Sequence, residues 1–170
     1  MRNEKLTLGY MHANQPFDIL PEEYFACGMP DNANPPWFVY GFAFPLSNSI
    51  GASVEMLQAM HRNVPTKFHE GNSVIDAICK YVESQVDANF EFEIRRAPVD
   101  CHPKIIFVFR ICSSWMPRRP KTPEWVPVLA GVVAEIFEDL GWKAPQPKWY
   151  LHRNMSAYDD SRDFNNYPGL

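Results

Sequence analysis

Two extended segments that alternate with a period of two residues constrain the fold of this chain more than any other feature. The first, residues 89–96, divides its side chains between two faces of a strand, with Phe90, Phe92 and Ile94 on one and Glu91, Glu93 and Arg95 on the other. The second, residues 104–112, is more apolar. Because the seven residues that join them are too few for a crossover connection, the two segments are predicted to pair antiparallel.

Other apolar patterns predict the remaining elements. Strands are predicted at residues 37–44 and 148–152, and an edge strand at residues 6–10. Helical spacing predicts helices at residues 49–62, 73–87 and about 125–140, the last with Gly141 as its C-terminal cap.

This order of elements predicts an α+β fold in which an antiparallel sheet carries helices on one face. Without the first strand, the order is close to the ferredoxin-like, split βαβ arrangement, to which residues 6–10 would add an N-terminal strand. We expect a single domain over residues 1–153. The tail, residues 154–170, is expected to be ordered and to pack on that domain or on a neighbouring copy, with Phe164 and Tyr167 as anchors.

Composition excludes several classes of protein. The 170 residues are 46% hydrophobic and 21% charged, as is usual for a globular domain. The net charge of −4 disfavours a dedicated nucleic-acid binder. No apolar run approaches the roughly 20 residues of a membrane span. The four cysteines form no CxxC pair and are interpreted as free thiols in a reducing compartment, which predicts a cytoplasmic location.

Known catalytic and metal-binding motifs are missing from the sequence. No two histidines have HxH or HxxxH spacing, and neither GxSxG, GxxxxGK[ST] nor GxGxxG occurs. We therefore expect no metal site and no cofactor.

The leading hypothesis is a non-catalytic binding or interaction domain. A hairpin centred near Asp100 would set Ile105, Phe107 and Phe109 beside Glu91, Glu93 and Arg95. The resulting aromatic and charged face could bind a small organic ligand or a protein partner, including a second copy in a homodimer. A basic, proline-rich loop beside it adds candidate ligand-binding residues: Trp115, Arg118 and Arg119.

The alternative is a small cofactor-independent enzyme, such as a lyase, isomerase or cyclase. Glu91 or Glu93 would then transfer protons, and Arg95 or Arg110 would hold an anionic group. Burial separates the two hypotheses, because a desolvated carboxylate in a closed pocket beside a cation favours an enzyme.

One resemblance suggests a third function. The segment Tyr40-Gly41-Phe42-Ala43-Phe44 resembles the core of the RNP1 motif of RNA-recognition domains, and residues 6–11 resemble RNP2. The resemblance implies RNA binding on a β-α-β-β-α-β fold. The sequence departs from the motif where Tyr40 replaces the basic residue and Pro45 interrupts it, so nucleic-acid binding is disfavoured.

Overall fold

The computed structural model describes the larger part of the chain around one antiparallel sheet. The described residues are 3–27, 29, 35–45, 82–86, 91–96, 105–116, 118, 120–139, 141–152, 154–155 and 164. The predicted helix at 49–62 and the first part of the predicted helix at 73–87 lie outside them.

Four strands form the sheet: β1 (Phe38–Pro45), β2 (Glu91–Arg96), β3 (Ile105–Ser113) and β4 (Lys148–Leu151). Their order in the sheet is β2-β3-β1-β4, and each neighbouring pair is antiparallel. The strands predicted at 37–44, 89–96, 104–112 and 148–152 are confirmed to within two residues at each end. Together with the helices, the sheet makes the fold α+β.

The register of the β2–β3 hairpin differs from the expected one by one residue. Glu91 is paired with Arg110, Phe92 with Phe109, and Ile94 with Phe107. The last described pair of the hairpin is Arg96–Ile105. The register thus pairs Phe107 and Phe109 with Ile94 and Phe92 instead of with charged residues. The surface expected to join these aromatic residues to Glu91, Glu93 and Arg95 stays a prediction.

The N-terminal strand predicted at residues 6–10 was also wrong. Glu4–Leu6 forms a 3₁₀ turn and Leu8–Asn14 forms helix α1. The Thr7 hydroxyl caps α1 by accepting a hydrogen bond from the Tyr10 backbone N–H at 3.3 Å. Leu8 and Met11 are three residues apart and both are fully buried, so helical packing prevails over the weak alternation. Residues 6–11 therefore do not supply an RNP2-like strand.

Three further helical segments are described: a 3₁₀ turn at Glu22–Tyr24 and the helices at residues 82–86 (α2) and Val126–Asp139 (α3). Helix α3 buries four residues of the predicted apolar stripe, Leu129, Val133, Ile136 and Phe137, together with Val126, whereas Val128 of that stripe is exposed. The helix ends in a Schellman motif, in which Trp142 N–H donates to the Phe137 carbonyl and Gly141 N–H to the Glu138 carbonyl. Gly141 has a φ of 68°, which glycine adopts without steric cost.

Both faces of the sheet are buried around β1. On one face, Phe38 and Leu151 pack with residues of the N-terminal segment: Leu6, Leu8, Met11, Leu20, Tyr24 and Phe25. Phe164 joins this cluster and donates its N–H to the Leu6 carbonyl. On the other face, Val39, Val108 and Tyr150 form a second buried cluster. Tyr167 lies outside the described residues.

No helix in the described parts of the chain is long and apolar enough to cross a lipid bilayer.

Candidate functional site

A row of three residues across the sheet forms the floor of the best candidate site. Tyr40 on β1 is paired with Cys112 on β3 and with Trp149 on β4. Directly paired residues share a face, so the three side chains project from the sheet together. The Tyr40 and Trp149 rings lie 5.1 Å apart at an angle of 38°.

An irregularity in the β1–β3 ladder lies beside this row. The register shifts between Tyr40 and Gly41, so that Gly41 is paired with Arg110 and Ile111 is left as an extra residue. Bulges of this kind increase the local twist of a strand and redirect its side chains, and they often lie next to binding sites. The break sets Cys112 opposite Tyr40.

The N-terminal segment supplies one wall of the site. Phe17 forms a two-residue bridge with Trp149, with reciprocal backbone hydrogen bonds of 2.8 and 2.9 Å. The Gln15 side chain also accepts a hydrogen bond from Leu151 N–H at 3.0 Å. These bonds attach the segment to the outer edge of β4. Phe25 then packs edge-on against Trp149, with ring centroids 5.4 Å apart at 87°.

The row and the wall enclose a pocket of about 230 Å³. Its opposite wall comes from the connection between β3 and α3, and its mouth from the turn after Phe17. The lining residues are Asp18, Ile19, Leu20, Phe25, Tyr40, Cys112, Pro120, Thr122 and Trp149. The deepest part is aromatic, whereas Asp18, Ile19 and Thr122 at the mouth are exposed.

Burial raises the pKa of both polar groups on the floor, which are protonated at neutral pH even at their ordinary pKa values. Desolvation raises the pKa of the Cys112 thiol to about 11, against a smaller opposing effect of Arg110. Desolvation also raises the pKa of the Tyr40 hydroxyl, with a further contribution from Cys112. At neutral pH both groups are protonated, so they offer hydrogen bonds and Cys112 is not an activated nucleophile.

The charged groups of this site, Lys148 and Asp18, lie at the mouth of the pocket. Lys148 Nζ and Asp18 Oδ1 are 3.1 Å apart. Asp18 is the one carboxylate among the described lining residues, and its side chain is 79% exposed. The pocket therefore combines an apolar, neutral interior with a paired charge at its rim.

A column of stacked rings forms a second notable feature. Trp37 lies between two partners: the His152 ring at 3.5 Å and 3°, and the Trp115 ring at 5.2 Å and 22°. The Trp37 Nε1–H donates to Ser113 Oγ at 2.7 Å, and the Trp115 Nε1–H donates to the Pro35 carbonyl at 3.1 Å. His152 is buried, while Trp115 at the outer end is 40% exposed.

The residues predicted from sequence are distributed over different parts of the sheet. Glu93 and Arg95 are paired with Val108 and Ile106, and Val108 is fully buried. Arg110 is half-buried, and desolvation lowers its pKa. None of Glu91, Glu93, Arg95, Arg110, Phe107 and Phe109 is among the described residues that line the pocket. Trp115 and Arg118 lie together on an exposed loop, and Arg119 is outside the described residues.

Sequence reasoning missed the row itself. Tyr40, Cys112 and Trp149 come from three strands, and only the pairing of those strands brings them together. The available signal was weak: each lies on a strand that the local apolar pattern correctly predicted.

Among the described residues, no three His, Cys, Asp or Glu side chains form a group that could hold a metal ion. Comparisons of the chain with protein-family models, with curated proteins and with solved structures gave no match.

Proposed function

We propose that the chain is a binding domain whose pocket over Tyr40, Cys112 and Trp149 takes a small, neutral, ring-containing ligand. The observation that carries the proposal is the floor of the pocket, where an aromatic pair lies beside two polar groups that stay protonated at neutral pH. Aromatic surfaces favour a flat ring. A charged ligand would lose its hydration without meeting an unpaired countercharge, which disfavours it.

The volume of the pocket limits the size of the ligand. A volume of about 230 Å³ is below the range of about 300–1,000 Å³ that holds drug-sized molecules. A single ring or a fused pair of rings, of roughly ten non-hydrogen atoms, suits such a volume. The Tyr40 hydroxyl and the Cys112 thiol can each hydrogen-bond one polar atom of the ligand, which would set its orientation.

Binding is favoured over the enzyme alternative by the charges of the described lining. A proton-transferring carboxylate would need to be desolvated and close to a cation. Asp18 is mostly exposed and already paired with Lys148. The described pocket thus supports recognition better than turnover.

The strand order also supports a split βαβ fold, as in ferredoxin-like domains. Strands β1 and β2 are both antiparallel to β3, which lies between them. Strands β3 and β4 are related in the same way across β1. Each of these pairs is parallel and separated by one strand, which is the defining feature of the split arrangement.

The test is a titration with indole, measured by ligand-observed NMR. At about 0.4 kcal/mol per non-hydrogen atom, a ring of this size gains about 4 kcal/mol, so the expected Kd is about 1 mM. Thr122→Trp places a large side chain at the pocket mouth and should weaken binding by about tenfold or more.

Gln146→Trp is the matched control, because Gln146 is exposed, neutral and outside the lining. This variant should keep the wild-type Kd within about twofold. Equal binding by wild type and Thr122→Trp, or an equal loss in both variants, would overturn the proposal.

A further inference from the structure

The loop after β3 presents a rigid apolar surface. Trp115 and Met116 are 40% and 43% exposed. Trp115 is nevertheless held in place, because one face of its ring stacks on Trp37 and its N–H is bonded to the Pro35 carbonyl. Its exposed surface is therefore ring carbon, and little side-chain entropy remains to be lost on binding.

The support beneath Trp115 is itself fixed. Trp37 stacks on the buried His152 ring and donates its indole N–H to Ser113 Oγ. The same Ser113 oxygen accepts the Trp115 backbone N–H at 3.2 Å. A ring that is preorganised in this way is typical of the aromatic anchors that dominate binding energy at interfaces.

Two positively charged residues follow Trp115 and Met116 closely in the chain. Arg118 and Lys121 are exposed, and neither forms an ion pair with the described residues. No acidic residue occurs in the sequence between Cys101 and Pro123. Three residues of chain span at most about 10 Å, so one short peptide can reach both the Trp115 ring and the Arg118 guanidinium.

We propose that Trp115, Met116, Arg118 and Lys121 form a docking surface for an acidic peptide segment of a partner protein, with an apolar side chain of the peptide against the Trp115 ring. Charge complementarity selects the acidic partner. Nucleic acid is a poorer fit, because phosphate binding uses many cations and this chain has a net charge of −4. This surface adjoins the pocket, because Lys121 lies between the lining residues Pro120 and Thr122, but none of its four residues lines the pocket and the proposal does not rest on the proposed ligand.

Selection of random peptides displayed on phage against the full chain tests the proposal. The wild-type chain should enrich sequences rich in Asp and Glu around an apolar residue. A synthetic peptide of the enriched sequence is then titrated by fluorescence anisotropy against wild type and variants. Trp115→Ala and Arg118→Glu should each weaken its binding by about tenfold.

Lys143→Glu is the charge-matched control, because Lys143 is exposed and lies outside the surface. It should change the Kd by less than about twofold. Arg118→Glu changes no residue of the aromatic column, so this variant tests the charge of the surface while Trp115→Ala tests the ring. Enrichment of basic or neutral peptides, no enrichment at all, equal binding by Arg118→Glu and wild type, or tighter binding of a single-stranded oligouridine than of the acidic peptide would overturn the proposal.

Discussion

The protein contains two aromatic assemblies of similar composition that differ in what surrounds them. In the buried assembly, Tyr24 stacks on Phe38 at 5.0 Å, and Phe17 packs edge-on against both. In the other, the column of His152, Trp37 and Trp115 begins in the core and ends at the surface. The first assembly is closed by the N-terminal segment. The second is buried at His152 and exposed at Trp115, which Arg118 and Lys121 follow in the chain.

This difference shows that aromatic residues serve stability or recognition according to what covers them. Phe38 and Tyr24 are fully buried, so their contribution is the removal of apolar surface from water. The Trp115 ring keeps two-fifths of its surface exposed while its position is fixed. The pocket lies between these extremes, because its aromatic floor is covered by the N-terminal segment but open at the mouth.

Truncation of the buried assembly should have the largest effect. Phe38→Ala removes a ring with 0% exposure that contacts Tyr24 and Phe17, and should lower the free energy of unfolding by about 3–5 kcal/mol. Trp115→Ala in the column should cost about 1 kcal/mol, since much of its ring is already exposed. Urea denaturation measures both. Similar losses in the two variants would contradict the distinction between the assemblies.

Ser114 connects the two assemblies, and its loss should have the next largest effect. Its buried hydroxyl oxygen accepts the Phe38 backbone N–H at 2.9 Å. Ser114→Ala leaves that N–H without its acceptor in a region closed to water and should cost about 1–3 kcal/mol. Ser113→Ala is the control, because the half-buried donors that it leaves can reach water, and it should cost less than about 1 kcal/mol. A larger loss of stability in Ser113→Ala than in Ser114→Ala would contradict the greater importance of the buried Ser114 hydrogen bond.

The sequence predicted the elements of the sheet better than their arrangement. Alternation in residues 89–96 and apolar runs in the other segments predict strands, because both patterns reflect the local geometry and burial of the backbone. All four strands of the sheet were predicted from such local patterns. The register of β2 and β3 depends on the conformation of the connection, and a difference of one residue changed the pairing partners of Phe107 and Phe109. Residues 6–10 were assigned to a strand because they alternate weakly, whereas in the structure Thr7 caps a helix.

The pocket was not predictable from the sequence for a related reason. Its floor joins Tyr40, Cys112 and Trp149 through two strand pairings that involve residues far apart in the chain. The aromatic column is similar, since Trp37 meets His152 and Trp115 only after β1, β3 and β4 have paired. Local patterns identify which residues are on strands, whereas these sites depend on which strands are neighbours.

Loss of stability at alkaline pH should report the burial of Cys112. The pKa of Cys112 is raised from 9.0 to about 11 in the folded chain, so folding favours the protonated thiol. Its contribution to stability is fully present below pH 9.0 and is lost as the pH rises through about 11. The raised pKa of Tyr40 also makes the folded chain less stable as the pH rises. Urea denaturation of wild type across this range should show falling stability, and Cys112→Val should show a smaller fall. An identical pH dependence in the variant would contradict burial of the thiol.

The charged pair at the mouth should contribute least. Asp18 and Lys148 are 3.1 Å apart, but the Asp18 side chain is 79% exposed. Asp18→Asn should change the free energy of unfolding by less than about 0.5 kcal/mol, because water and salt screen the pair. The indole affinity should also change little if the charge lies outside the space that the ligand occupies. A large loss of stability would show that this pair belongs to the core.

Disulfide exchange at Cys112 tests the central claim, that this residue lies in a ring-binding pocket, most directly. The chain is equilibrated with bis(2-phenylethyl) disulfide or with diethyl disulfide under mild reducing conditions. The cysteines that carry each group are then identified by peptide mass spectrometry. Cys112 should retain the phenylethyl group about tenfold more than the ethyl group, because the ring gains contacts with Tyr40 and Trp149. Cys27 should show little preference, and Thr122→Trp should remove the preference at Cys112. Equal retention of the two groups at Cys112 would contradict the account.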